Sequence, residues 1–536
     1  MEFTSLLFYF LPLLLYAEIH YSFKWIYSRF KKNEPEIIAD VPFRIEPEKK
    51  LPILIYCKDA HRFPISIESV LVTIFKDEKI IYRELFELNK DIAQKSWWQI
   101  VEIESSNLKL GEIEVEVEIE IIRNKKKFSY INDNYRISSH APFRVYIPKL
   151  PLPGQGSVIW GDLHYHSSYT EDQVEFGAPL EATIKIAHAF GLKFFAVTDH
   201  SYDLDDLPEN YLINDPDLQK WNMLQKEVAE LNKKYSEFKI IPGEEVSSGN
   251  SKGKNVHFLV LNNKKFFAGK GDGAEKWLRN KPDLTTTKIL ADLEKNALAF
   301  SAHPEVEPPL LQKLLIRRGK WEESDYQNER LDGMQVWNGR DDIYFKKGIS
   351  RWKKLILEGK RLTIVAGNDA HGNFNRFRQI GFPFWTFREK FIEVFGYART
   401  GIIRKNVTSL VEALRMGACI ISNGPFLNFT VTSEGGDEWK IGEEIEDIEN
   451  VNLNIFAQST EEFGELKNLR IFIGDLFLKK EKMELEIEDF SVGFNFRIQK
   501  KLTTQVKNGY IRGELFTNTN SRIFSCFTNP IWINSK

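Results

Sequence analysis

Hydrophobic and polar residues alternate with a period of two over the first part of the chain, from about Pro35 to Pro148. The pattern is clearest from Glu112 to Glu120, where isoleucine and valine alternate with glutamate. Such alternation is typical of a strand with one buried and one solvent-exposed face. Similar short runs separated by turn residues predict a β-sandwich over residues 35–153. We interpret its glutamate face as a solvated surface rather than a cation site.

A different pattern begins after a segment rich in proline and glycine, from Pro148 to Gly156. Short apolar runs now alternate with helical patterns, which predicts parallel strands joined by crossover helices and places residues 157–424 in the α/β class. The predicted helices are Pro179–Phe190, Asp217–Lys234, Leu284–Lys295 and Phe345–Glu358. The seven predicted strands, a number that suits a closed or nearly closed barrel, are Val158–Trp160, Phe194–Thr198, Lys239–Ile241, Val256–Leu261, Ala297–Ser301, Met334–Trp337 and Leu362–Ala366.

The β pattern returns from about Pro425. Runs such as Phe426–Val431 and Val451–Phe456 predict a second β-sandwich over residues 425–536. Three folded domains are therefore expected, in agreement with a length of 536 residues.

The first 34 residues form an apolar N-terminal segment, because residues 3–17 carry no charge and basic residues follow from Lys24 to Lys32. We expect residues 3–27 to contact a membrane and to anchor the chain on its cytoplasmic side, because basic residues favour that side. Two alternatives stay open. The segment is a secretory signal of an exported protein, or an apolar helix docked on a soluble cytoplasmic protein.

Composition excludes several classes of protein. Lys and Arg (73) nearly balance Asp and Glu (76), so no nucleic-acid partner is expected. The hydrophobic fraction of 42% argues against disorder. Only Cys57, Cys419 and Cys526 are present, without a Cys-x-x-Cys pair, which excludes a disulfide scaffold, a thiolate zinc site and an iron–sulfur site.

Histidines supply the strongest chemical signal. Seven of the ten lie between residues 157 and 372, and six of these stand in a predicted strand or just past its C-terminal end. The C-terminal ends of barrel strands converge on one rim, so these imidazoles are expected to meet there, together with several carboxylates. A shared cation explains such a cluster best, which predicts a polynuclear metal centre. The other four histidines, His20, His61, His140 and His188, have no such company and are interpreted as ordinary surface or core residues.

The motifs that carry these residues resemble the polymerase and histidinol phosphatase (PHP) superfamily of metallohydrolases. They are Asp162-Leu163-His164-Tyr165-His166, Thr198-Asp199-His200, Pro242-Gly243-Glu244-Glu245, His257, Ala302-His303-Pro304 and Asn368-Asp369-Ala370-His371. The resemblance spans residues 157 to about 372 and implies a distorted seven-stranded (β/α) barrel. The turns Asn423-Gly424-Pro425 and Thr528-Asn529-Pro530, with β domains on both sides, resemble the carbaryl-hydrolase-like branch.

The resemblance also implies two or three divalent metal ions, of Zn, Mn or Fe. A first metal would be held by His164, His166, Glu245 and Asp369, and Glu245 would bridge to a second. The second metal is also assigned His257 and His303, and the third is assigned Asp172, His200 and His371. Many family members have a histidine at the position of Asp172, and others have Asp. We assign the catalytic step to Glu245, Asp369 and His371.

Three functions remain open at this stage. We expect a phosphoesterase that cleaves a small phosphorylated molecule or nucleotide with a metal-activated hydroxide. The same centre also suits a carboxylic or carbamic ester hydrolase, and the third alternative is a non-catalytic ligand-binding or scaffold protein. Arg340, Arg376 and Arg378 are candidate substrate-binding residues, with a solvated surface position as the alternative for each.

Overall fold

The computed structural model describes residues 34–134, 140–170, 177–208, 210–270, 280–376, 379–382, 385–388, 393–403, 409–446, 451–490, 493–502 and 506–534. The predicted membrane segment, residues 3–27, lies outside these ranges, so its contact with a membrane stays a prediction. Among the described residues, no helix is both long and apolar enough to cross a membrane.

The first part of the chain forms two sheets around one core. Strands β1, β2 and β5 make a three-stranded sheet, and β3, β4, β6, β7 and β8 make a five-stranded sheet. In β6, the valines and isoleucines face inward and the glutamates face outward, as the alternation predicts. The strands are β1 Glu36–Asp40, β2 Leu51–Lys58, β3 Ile65–Lys76, β4 Lys79–Ile92, β5 Ser96–Ile103, β6 Gly111–Arg123, β7 Lys126–Ile131 and β8 Phe143–Ile147, with a 3-10 turn at Ser105–Asn107.

The middle of the chain contains strands at all seven predicted places, and they lie side by side in one sheet in the order β17-β16-β15-β14-β13-β10-β9. The strands are β9 Val158–His166, β10 Phe194–Val197, β11 Asp206–Leu207, β12 Asn210–Asn214, β13 Lys239–Gly249, β14 Asn255–Leu261, β15 Leu298–Ser301, β16 Gly333–Asn338, β17 Thr363–Gly367, β18 Ala370–His371, β19 Gln379–Phe382, β20 Trp385–Arg388, β21 Arg399–Ile403 and β22 Cys419–Ser422.

Helices follow several of these strands, and four of them occupy the predicted segments. They are Leu180–Phe190, Ser201–Leu204, Gln219–Lys234, Thr286–Asp292, Leu310–Leu315, Ile343–Leu357 and Leu410–Met416, with a 3-10 turn at Glu323–Gln327. Helix Ile343–Leu357 begins at the N-cap Asp342, whose side chain accepts hydrogen bonds from the next turn.

Two observations correct the expectation of parallel strands in a closed or nearly closed barrel. Strand β14 runs antiparallel to both β13 and β15. Only five residues separate β13 from β14, which is too short for the crossover that a parallel pair requires. At the other end of the sheet, the described residues form no β17–β9 ladder and no closed barrel. The fold is predominantly β, built from several sheets.

The two ends of this row of strands nevertheless come together at one point. The backbone N–H groups of Asn368 and Asp369 donate to the carbonyl oxygen of His164 at 3.3 and 2.9 Å. Strand β18 then pairs in parallel with the end of β9. Gly367 is needed here, because a Cβ at this position would lie 2.5 Å from the His164 nitrogen. The contact brings the ends of β9 and β17 to the same place.

The last part of the chain adds two layers, of which one is a separate four-stranded sheet, β24-β23-β26-β29. The other layer, β31-β30-β27-β28, continues the central sheet through β22. The predicted boundary at residues 424 and 425 therefore does not interrupt the sheet. The strands are β23 Phe426–Ser433, β24 Glu438–Lys440, β25 Glu444–Ile445, β26 Val451–Gln458, β27 Glu465–Asp475, β28 Lys480–Ile487, β29 Asn495–Leu502, β30 Asn508–Asn518, β31 Ile523–Thr528 and β32 Ile531–Asn534.

Asn529 fixes the junction between the central and the last part of the chain. Its Oδ1 accepts from the Ile364 nitrogen at 2.8 Å, and its Nδ2 donates to the Ile364 and Cys419 oxygens, each at 3.0 Å. The side chain is fully buried. A residue of the last part thus holds β17 beside β22.

Candidate metal centre

Six histidines and two carboxylates, eight of the nine predicted ligands, come together at the ends of the central strands. His164 and His166 end β9 two residues apart, so both side chains face the same side of the sheet. All eight are buried or nearly so, although each is polar. They are His164, His166, His200, Glu245, His257, Asp369 and His371, with His303 at the edge of the cluster, half-buried and 3.3 Å from Glu245 Oε1.

Glu245 lies at the centre of this cluster and is fully buried. Its Oε1 is 2.6 Å from His257 Nδ1 and 3.3 Å from His303 Nε2. Its Oε2 is 3.1 Å from His200 Nδ1, 3.4 Å from His164 Nε2 and 3.5 Å from His166 Nε2. One carboxylate therefore faces five imidazoles, with each oxygen turned to a different group of rings.

Asp369 forms the second carboxylate contact. Its Oδ1 lies 3.0 Å from His166 Nε2 and 3.2 Å from His164 Nε2, and its Oδ2 lies 3.8 Å from His303 Nε2. The backbone of Asp369 has a φ of 54°, a left-handed conformation that non-glycine residues rarely adopt. This conformation turns the chain just after β17 and presents the carboxylate to the imidazoles.

Three overlapping groups of donor atoms have the spacing that a bound cation needs. They are His164, His166, Glu245 and Asp369; His200, Glu245 and His257; and His166, His200 and His371. Nε2 of His200 is buried and makes no hydrogen bond within the described residues. Buried polar atoms normally have a partner, and imidazole and carboxylate donors suit Zn, Mn or Fe. The residues present therefore fit a metal centre of two or three ions.

The electrostatics of the cluster favour ionised carboxylates. Burial alone would raise the pKa of Glu245, but the rings of His257 and His164 hold it well below its usual range. Burial opposes a charge on His164 as well, but Asp369 and Glu245 outweigh it and raise the pKa of His164 to about 9. Burial, with His371 and His200 alongside, lowers the pKa of His166 well below its usual value. Burial would also raise the pKa of Asp369, but His164 and His166 hold it well below its usual range, so both carboxylates are available as anionic ligands.

Residues that the sequence did not reveal orient these ligands. Gln335 on β16 is fully buried, and its Oε1 lies 2.9 Å from His164 Nδ1, which leaves Nε2 of that ring for the centre. Gln335 also donates to Asn338 at 3.0 Å, and Asn338 donates to Asp369 Oδ2 at 3.2 Å. Such outer contacts fix the tautomer and the direction of a metal ligand. A polar residue inside an otherwise apolar strand was the available signal for Gln335.

Arg318 is a second residue that the sequence did not reveal. Its guanidinium approaches both ring nitrogens of His257, with Nη2 at 2.9 Å from Nδ1 and a closer contact between Nη1 and Nε2. Arg318 is itself buried. A fixed positive charge therefore lies at the edge of the centre.

Asp199 and Glu244, two acids of the motifs named above, serve structural roles instead. Asp199 accepts hydrogen bonds from the Ser167 and Thr170 nitrogens at 2.7 and 3.0 Å, which holds the loop that follows His166. Glu244 points away from the centre and accepts from the Phe267 nitrogen at 3.0 Å and from Ser201 Oγ at 2.9 Å. Burial raises the pKa of Glu244 well above its usual value.

The predicted substrate arginines are placed less favourably. Arg376 is buried, and its Nη1 lies 3.8 Å from the carboxylate of Asp133 in the first part of the chain. Arg376 therefore does not lie at a rim that is open to substrate. Arg340 is half-buried, and its backbone nitrogen donates to the carbonyl oxygen of Asn338, whose side chain contacts the candidate ligand Asp369. Asp172 and Arg378 lie outside the described residues, so their predicted roles stay predictions.

Comparisons with known proteins identify no relative. No family model matches the chain, and no curated protein matches it. Solved structures overlap it only loosely. A β-glucuronidase of Parabacteroides merdae overlaps at a TM-score of 0.19 and 8% identity, over 94% of this chain and 65% of its own. A calcium-binding mutant of Bacteroides uniformis β-glucuronidase 2 overlaps at 0.18 and 11%, over 93% and 60%. The chain thus spans less than two thirds of both enzymes, and TM-scores this low establish no shared fold.

Proposed function

We propose that this chain is a metal-dependent hydrolase, and specifically a phosphoesterase that acts on a small phosphorylated molecule. One observation carries the proposal: five buried imidazoles surround the carboxylates of Glu245 and Asp369, and they form three groups of donor atoms that could each hold a cation. A structural role does not require so many titratable groups in one place, because each loses its hydration on burial. The order of the ligand motifs and of the central strands supports membership of the PHP superfamily.

The residues of the chain would divide the work between binding and orientation. His164, His166, Glu245 and Asp369 would hold one cation, and Glu245 with His257 a second. Bound divalent ions supply a hydroxide at neutral pH by lowering the pKa of water toward ~7, and they neutralise the oxygens of a phosphate. No Ser-His or Cys-His pair is then required.

Further residues would act on the substrate and the solvent. Arg318 places its guanidinium next to His257, where it would add positive charge on the side of a phosphate oxygen. Gln335 and Asn338 would keep His164 and Asp369 in position throughout turnover. Burial of the whole ligand set keeps bulk water away from the reacting group and strengthens each of these interactions.

Elemental analysis of the purified full chain, followed by an ester panel, tests the proposal. We expect two or three equivalents of Zn, Mn or Fe, and release of phosphate from nitrophenyl phosphate or bis-nitrophenyl phosphate. Turnover of nitrophenyl acetate without any phosphate release would favour the carboxylic or carbamic ester hydrolase instead. Metal-loaded protein that hydrolyses neither class would contradict an enzymatic role and favour the binding or scaffold alternative.

A further inference from the structure

A cavity of about 160 Å³ opens beside the metal centre. Two of its lining residues belong to the centre or touch it. His303 is a candidate ligand whose Nε2 lies 3.3 Å from Glu245 Oε1, and Asn338 donates to Asp369 Oδ2. The cavity is therefore adjacent to the candidate ligands. A molecule held by its reacting group at the centre would extend its remaining part into this space.

The size of the cavity limits what that part can be. A dry cavity of about 150 Å³ inside a protein accommodates one benzene molecule. The walls here include the apolar side chains of Val306, Val336 and Phe345, which suit a flat or aliphatic ring. One six-membered ring fills such a space, whereas a nucleoside with its base and sugar does not fit.

The charges around the cavity further limit which group it can accept. Three carboxylates, those of Glu305, Asp342 and Glu393, are among the lining residues, and no Lys or Arg lines it within the described part of the chain. Glu305 is paired with Arg351, whose Nε lies at 3.0 Å but which is not part of the lining. Asp342 accepts the Tyr344 and Phe345 nitrogens at 2.8 and 2.9 Å, both through Oδ1. A second anion in this space would face repulsion, and a hydroxyl or ammonium group would face acceptors.

We infer that this cavity is the leaving-group subsite of the centre, and that it selects a ring-sized alcohol that is neutral or cationic over one that carries a further negative charge. The inference rests on the proposed function for the reaction itself. In that reaction a hydroxide would form a new bond to phosphorus, the bond between phosphorus and the alcohol oxygen would break, and the departing alkoxide would take a proton from water. The cavity holds the alcohol before and after that step.

Binding of three ring-matched probes to the full metal-loaded chain tests the selectivity without requiring turnover. The probes are benzyl alcohol, benzylammonium and benzenesulfonate, and ligand-observed NMR at pH 7 gives their dissociation constants. We expect benzylammonium and benzyl alcohol to bind, and benzenesulfonate to bind at least 10-fold more weakly. Equal or tighter binding of the sulfonate would overturn the inference.

Two variants show whether the probes occupy this cavity. Val306→Phe places a ring in the space and should weaken benzylammonium binding at least 10-fold, whereas Leu314→Phe, an exposed position outside the cavity, should not. Asp342→Asn keeps the helix cap, since Asn is as good an N-cap as Asp. Asp342→Asn should reduce the ratio of the dissociation constants of benzenesulfonate and benzylammonium at least threefold. Glu358→Gln, at the far end of the same helix, should leave that ratio unchanged. Binding that Val306→Phe leaves intact would place the probes elsewhere and overturn the inference.

Hydrolysis of matched esters separates this inference from the proposed function. Benzyl phosphate should be cleaved at least 10-fold faster, as kcat/KM, than 4-carboxybenzyl phosphate. Equal rates would overturn the subsite while leaving the phosphoesterase in place. Selective probe binding without hydrolysis of any ester would support the cavity as a ligand site and contradict the proposed function.

Discussion

Replacement of Glu245 by Gln is the sharpest test of the metal centre. The substitution keeps the size of the side chain but removes its negative charge and turns one oxygen into an NH₂ group. Glu245 belongs to two of the three groups of donor atoms, because its two oxygens face different imidazoles. A single change therefore weakens two cation sites, while the group of His166, His200 and His371 keeps all its ligands.

The magnitude follows from what such contacts contribute. Loss of an outer contact to a metal ligand lowers metal affinity or activity about 10- to 100-fold, and loss of a bridging ligand should cost at least the lower figure, about 1.4 kcal/mol. We expect Glu245→Gln to retain no more than about one metal equivalent and to lose ester hydrolysis in parallel. Elemental analysis after dialysis, with initial rates on nitrophenyl phosphate, measures both quantities on one sample.

Glu244→Gln is the matched control. This neighbouring side chain is equally buried but points away from the centre, where it accepts hydrogen bonds from the Phe267 nitrogen and from Ser201 Oγ. Glu244 belongs to none of the three groups of donor atoms, and Gln keeps the size of the side chain, so metal content and activity should match those of the parent chain. Full metal content in Glu245→Gln, or equal losses in both variants, would refute the central position of Glu245.

Four further predictions address the surroundings of the centre. Gln335→Leu removes the partner of His164 Nδ1 and should lower metal affinity about 10-fold, measured by competition with a chromogenic chelator. Removal of metal from the parent chain should lower the thermal midpoint, because a ligand at 100 times its Kd stabilises the native state by about 2.7 kcal/mol; an unchanged midpoint would argue against structural loading of the site. Asn529→Ala removes the amide that pairs with the Ile364 nitrogen and oxygen and should cost about 2–3 kcal/mol in urea unfolding, with unchanged metal content in the folded protein. His188→Gln, at a half-buried helical position, should change neither metal content nor activity.

Periodicity predicted where strands occur better than how they are joined. All seven central strands and four helices lie at the predicted places, because burial of an apolar face or stripe is a local property of the sequence. The direction of β14 depends on the short connection after Gly249. The absence of pairing between β9 and β17 in the described part of the chain depends on long-range packing. Neither can be derived from alternation alone.

The candidate site shows the same division. Eight predicted ligands meet, because they lie at or near the ends of strands that converge on one place. The antiparallel direction of β14 does not prevent this convergence. Gln335 and Arg318 escaped prediction, since their roles depend on partners such as His164, 171 residues away. Arg376 was predicted at the rim because of its place after His371, but its backbone nitrogen donates to Asp40, 336 positions earlier in the chain. Contacts between residues so far apart in the chain cannot be predicted from a local sequence pattern.

The continuous sheet through β22 and β31 has a practical consequence for any attempt to isolate the region that carries the candidate metal centre. A fragment cut at residue 424 would expose the whole hydrogen-bonding edge of Cys419–Ser422, which β31 covers in the intact chain. It would also lose the amide of Asn529 that satisfies Ile364. Uncovered edges of this kind recruit strands from other molecules. Such a fragment should precipitate during expression, so the minimal soluble unit has to include the C-terminal strands.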